Sequence, residues 1–141
     1  MKRRAEQEAQ TRRRITESAV ELHGTLGPAR TSMKAVAERA GVPRSTVYRH
    51  FPDERALFGA CSAHWAAHNP PPDPSLWAGI GAPDERLAVA LEELYAYYRH
   101  AGGMIDKLLR DEEAVPVVAE LFAAFHQLMA AILEILMRGR G

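Results

Sequence analysis

A single cysteine, Cys61, stands in a chain of 141 residues. One cysteine excludes an internal disulfide and a cysteine-built metal cluster, and it suits a reducing compartment. Aromatic residues are sparse at 7%. Net charge is absent, with 18 Lys and Arg against 18 Asp and Glu, which taken alone argues against a nucleic-acid partner. The opening residues, MKRRAEQEAQTRRR, have no apolar stretch after their charges, so no secretion signal is expected. The longest apolar run lies near the other end. His126, Gln127 and Glu134 interrupt it, and it is expected to be too short to span a bilayer. Catalytic signatures are missing too. Ser18, Ser32, Ser45, Ser62 and Ser75 lack the flanking glycines of a nucleophile elbow, and no glycine-rich phosphate loop occurs. Glu92-Glu93 and Asp111-Glu112-Glu113 read as solvated helix faces. The expectation is a soluble, cytoplasmic, non-enzymatic protein with no cofactor, no metal and no membrane contact.

The zero net charge hides an asymmetry. Residues 1–55 hold 12 basic and 7 acidic side chains, and residues 56–141 hold 6 and 11. A basic part joined to an acidic remainder suits a nucleic-acid-facing domain followed by a sensing or pairing domain.

The basic part contains SMKAVAERAGVPRSTVYRHF, residues 32–51. The spacing of Ala37, Gly41 and Val47 is that of a helix-turn-helix. A small Ala37 lets two helices cross closely, and Gly41 accepts a turn of positive φ. Val42 and Val47 face inward. Arg44, Ser45, Thr46, Tyr48, Arg49 and His50 are then left on or near the outer flank of one short helix. These side chains can bond phosphates or base edges in a major groove. No acidic residue occurs from Ala40 to Pro52, whereas a merely solvated face usually mixes signs.

Along the chain, residues 1–11 are polar and without periodicity, and read as a flexible basic arm. Residues 12–68 carry the helix-turn-helix unit and a connecting helix. Ile15, Ala19, Leu22 and Leu26 line the inner side of a first helix, ended by Gly24 and Gly27-Pro28. Thr31 or Ser32 caps the second helix, Pro43 opens the third, and Asp53 caps a fourth from about Glu54 to His68. Residues 69–83, with five prolines and two glycines, form a loop, with Leu76 and Trp77 tucked onto the helical body. Residues 84–141 are a helical C-terminal domain. Helices at 84–100 and near 104–114 are expected to be separated by Gly102-Gly103, and a last helix opens at Pro116 and runs over about 117–137. That last helix is apolar almost all round and must find cover.

From about Arg12 to Leu57 the chain resembles the N-terminal domain of the TetR family of bacterial transcriptional repressors. The pieces that carry the likeness are RRRITESAVELHGTLG, TSMKAVAERAGVPRSTVYRHF and PDERALF, with VYRHF after GVPRST the most diagnostic. The resemblance implies an all-α fold: three helices for DNA, a connecting fourth, and a helical domain for ligand and dimer contacts. It implies phosphate contacts from Thr31 and Ser32, and a DNA-facing flank made of Arg44, Ser45, Thr46, Tyr48, Arg49 and His50. The chain departs from the family pattern at His23 and near Pro28, where aromatics are usual, and at Glu54, where a Lys usually helps hold the DNA backbone. Arg55 next door can substitute. The C-terminal domain is short against the family pattern and reads as naturally short or truncated.

By the same resemblance the partners are double-stranded DNA with a near-palindromic operator, a second copy of the chain, and a small apolar or aromatic effector. Trp65, Tyr95, Tyr98, Met104, Phe122 and Phe125 are the residues expected to line an effector cavity; a plain helical core explains their pattern as well. His64 and His68 share a helix face, but two ligands make a weak metal site. Two other readings stand beside the ligand-released repressor. One is a minimal DNA-binding protein without a pocket. The other is a helical module whose last helix docks on a partner protein.

Overall fold

The computed structural model describes residues 1–140. Among them every regular element is helical: α1 (Lys2–Thr25), a single 3-10 turn (Pro28–Arg30), α2 (Met33–Ala40), α3 (Arg44–His50), α4 (Glu54–His68), α5 (Ser75–Ala78), α6 (Pro83–Asp111) and α7 (Pro116–Met137).

The boundaries have local causes. Ser32, rather than Thr31, caps α2, its hydroxyl accepting from the Ala35 amide at 3.0 Å. The Gly41 backbone is left-handed, φ 71°. That conformation lets the Val42 amide reach back to the Ala37 carbonyl at 3.0 Å and close the helix. Asp53 caps α4 through the Ala56 amide at 2.8 Å.

Residues 1–11 are not a free arm. From Lys2 onward they are the opening turns of α1. The stretch is built of Lys, Arg, Ala, Glu and Gln with no glycine or proline, all good helix formers, and propensity decides where periodicity is silent. Gly102-Gly103 do not break α6 either, which runs unbroken for 29 residues. Each glycine costs about 1 kcal/mol against alanine in a helix. The buried stripe Tyr97, Ala101 and Ile105 passes straight through them and outweighs that cost. The loop at 69–83 contains the short α5, and of Leu76 and Trp77 only Trp77 is tucked in. Its indole nitrogen donates to Glu93 at 2.7 Å, while Leu76 stays exposed.

Three apolar clusters hold the helices together. Ile15 and Ala19 of α1, Val36 and Ala37 of α2, Val47 of α3 and Leu57 of α4 form the first. Tyr97, Ala101 and Ile105 of α6 meet Phe122 of α7 in the second. Trp77, Ala90 and Ile132 form the third. The buried Arg86 ties the far end of the molecule, donating to the Ile80 carbonyl at 2.9 Å and to the Arg138 carbonyl.

The last helix, α7, is 22 residues long and carries a window of mean hydropathy 1.6. By length and composition it is long enough to cross a membrane, contrary to the expectation from its polar interruptions. Here Val118, Phe122 and Ile132 face the other helices. Leu121, Leu133 and Met137 remain exposed.

Candidate nucleic-acid interface and cavity

Helix α3 is seven residues long, and one buried residue, Val47, anchors it to the first cluster. That single anchor sets which way the rest points. Arg44, Ser45, Tyr48 and Arg49 are exposed and Thr46 is half-buried. The Pro43 carbonyl accepts from the Thr46 amide at 3.0 Å, so the chain enters α3 through an extended proline, just before its first turn.

The sixth residue expected on this flank is elsewhere. The His50 side chain is 9% exposed and turned toward α1, its Nε2 3.4 Å from a Glu8 carboxylate oxygen. The reason is the end of the helix. Phe51 plunges into the core, and Arg12 of α1 clasps the junction. Its guanidinium donates to the His50 carbonyl at 2.9 Å and lies 4.2 Å from the centre of the Phe51 ring. Glu8 also accepts from Arg49 at 3.2 Å. The opening turns of α1 therefore brace α3 from the side.

At the start of α2 the two hydroxyls part company. Ser32 is exposed. The Thr31 hydroxyl donates inward to the Gly27 carbonyl at 2.8 Å. Arg55 does not stand free beside Glu54: both its terminal nitrogens donate to Glu120 of α7.

A cavity of about 400 Å³ lies between α1, α4, α6 and α7. Of the six residues expected there, Trp65, Met104, Phe122 and Phe125 line it. Tyr95 and Tyr98 do not. Tyr95 is 67% exposed, and Tyr98 faces outward, its hydroxyl 3.8 Å from the Met129 sulfur. The helical phase explains the miss. The inward stripe of α6 passes through Tyr97, and neither Tyr95 nor Tyr98 is a whole turn from it. Composition gave no signal for the residues added by the other helices: His23 of α1 and Phe58, Cys61 and Asn69 on the α4 side. Burial shapes the chemistry of two of them. It lowers the His23 pKa from 6.5 to about 4 and pushes the Cys61 thiol up to about 12. At neutral pH both are uncharged.

A clasp joins the end of α6 to the connection between α1 and α2. Asp111, at the end of α6, accepts from the Ala29 amide at 3.0 Å. The neighbouring Arg110 donates to the Leu26 carbonyl at 2.8 Å and to Asp111 at 2.7 Å. This pair and the Ala29 amide hold the Asp111 carboxyl below the usual carboxylate range. Gly27 makes the approach possible. Its φ is 93°, and a Cβ there would stand 2.1 Å from Arg110 Nη2. The His64 and His68 rings lie 4.4 Å apart, tilted by 35°, and no group of three metal-ligating side chains forms among the described residues.

The pattern of the bacterial regulatory proteins of the tetR family matches residues 15–61, the span from the α1 core stripe to Cys61. These residues carry the TetR-family N-terminal domain. The chain is similar to the HTH-type transcriptional regulator AcrR of Shigella flexneri, with 42% identity over 59 residues. That match covers 41% of this chain and 27% of the relative, so the chain spans about a quarter of the relative's length. A solved structure from Mesorhizobium loti, assigned to the TetR-family transcriptional regulators, superposes with a TM-score of 0.62 over 95% of this chain and 71% of its own. At 21% identity that likeness speaks for the fold. The TetR-family domain and the all-α architecture both agree with the expectation from sequence.

Proposed function

We propose that the chain is a sequence-specific DNA-binding transcriptional regulator, a repressor released by a small-molecule effector. The observation that carries this reading is the α3 flank. Arg44, Ser45, Thr46, Tyr48 and Arg49 stand on one short helix with no carboxylate among them. A helix of this kind fits a major groove. Arg44, at its exposed first position, has the fork that matches the two acceptors of a guanine edge. Ser32, Thr46 and Tyr48 take phosphate roles, and Thr31 acts through the turn it closes.

Two copies would set their third helices about 34–36 Å apart on a near-palindromic site. The exposed apolar residues Leu91 and Tyr95 of α6 and Leu133 and Met137 of α7 supply a surface for such pairing. An effector in the cavity would act on the helix-turn-helix through the Arg110–Asp111 clasp and so change the spacing of the two recognition helices.

Selection of fragments from the source genome, followed by footprinting, tests the reading. A protected, near-palindromic site supports it. A protein that retains no duplex DNA even at low salt refutes it.

A further inference from the structure

The cavity has an unusual wall. None of the side chains lining it is Asp, Glu, Lys or Arg. A charged ligand would lose its hydration there and find no counter-charge, which is a severe penalty. Phe122 and Phe125 stack nearly parallel, at 5° with centroids 4.5 Å apart, beside the Trp65 indole. Such walls suit a flat apolar body.

One polar group is out of place. His23 is 8% exposed, and its ring packs against Phe58 at 5.2 Å. It has no hydrogen-bonding partner among the described residues, while a buried polar ring ordinarily has one. His23 lines the cavity on one side. On the other it borders the small cleft beside Thr31, Ser32 and Met33, where α2 begins. Two of the remaining polar groups are already engaged, while Ser62 and Tyr97 also line the wall. Asn69 donates to the Trp65 carbonyl at 2.9 Å, and Cys61 to the Thr16 carbonyl at 3.7 Å.

We propose that the cavity takes an uncharged, flat aromatic molecule bearing one hydrogen-bonding hydroxyl or carbonyl, and that His23 anchors that group. Burial keeps the imidazole neutral, so it offers one donor and one acceptor nitrogen. The ligand then touches α1 of the DNA-binding domain directly, beside the start of α2. The proposal rests on the regulator reading only in naming the occupant an effector.

The test uses three matched probes without DNA, titrated calorimetrically into the whole chain: 2-naphthol, naphthalene-2-sulfonate and 2-naphthyltrimethylammonium. The expected result is one 2-naphthol per chain, with both charged probes at least tenfold weaker. His23→Phe keeps an aromatic ring but removes both nitrogens, and is expected to weaken 2-naphthol at least tenfold. Ala124→Trp, which fills the cavity, is expected to abolish it. Equal binding of a charged probe, or no 2-naphthol binding to the wild-type chain, overturns the proposal. So does a 2-naphthol affinity that a folded His23→Phe variant leaves unchanged. If His23→Phe does not fold, the charge discrimination and Ala124→Trp still decide. Failure here leaves the DNA-binding reading intact, and failure of genomic selection leaves this ligand class standing.

Discussion

Replacing His23 by Phe should change how the fold responds to acid. Burial lowers the His23 pKa from 6.5 to about 4, so between those values the unfolded chain binds a proton that the folded chain refuses. Stability therefore rises with pH across this window. It is complete above pH 6.5 and lost progressively as pH falls toward 4. Each tenfold difference in proton affinity is worth about 1.4 kcal/mol, so the whole effect is about 3 kcal/mol, and about 2–3 kcal/mol of it is lost by pH 4.5. The groups facing the ring do not complicate the sign. Phe58 does not titrate, Cys61 stays a thiol because burial holds its pKa at about 12, and Glu54 sits across the small cleft. Urea unfolding at pH 7 and pH 4.5 gives the loss for each protein, and carboxylates elsewhere contribute equally to both. Wild type should lose about 2–3 kcal/mol more than His23→Phe on acidification. Parallel losses would refute the claim that a buried neutral imidazole underlies the cavity.

Four further outcomes follow from the same geometry. Arg44→Ala should cost about 1–3 kcal/mol in DNA binding and relax preference at one base pair, which selection on randomised sites would read. Glu120→Gln frees Arg55 and should steepen the salt dependence of DNA binding by about 0.9 in log–log slope, one phosphate's worth. Gly27→Ala should destabilise the fold by about 1–3 kcal/mol in chemical denaturation, since φ 93° strains any residue with a Cβ and the Arg110 and Asp111 side chains would have to shift. Gly41→Ala should cost only about 1 kcal/mol in the same assay, because its φ is 71° but nothing stands within 4 Å.

The helix-turn-helix was the most legible part of the sequence because its constraints are local. Ala37, Gly41 and Val47 each occupy a place that tolerates few residue types, and they are close in the chain. The Asp53 cap was legible for the same reason, and the α2 cap was narrowed to Thr31 or Ser32. What escaped depended on partners far away. Gly102-Gly103 looks like a break until the stripe through Tyr97, Ala101 and Ile105 is packed against Phe122. Residues 1–11 look structureless until Glu8 and Arg12 meet α3 across about 40 positions of sequence. The cavity was half legible. The aromatics of α7 were found by composition, but Tyr95 and Tyr98 were chosen one helical phase away from Tyr97. His23 was marked only as a departure from the family pattern, and its place in the cavity comes from α4 and α6 closing around it.

The unbroken course of α1 makes it a lever. Glu8 and His23 lie on the same rod, about 22 Å apart at 1.5 Å per residue. A tilt of about 5° at the cavity end therefore moves the Glu8 end by about 2 Å. That distance is enough to part a hydrogen bond, and the one at that end holds Arg49.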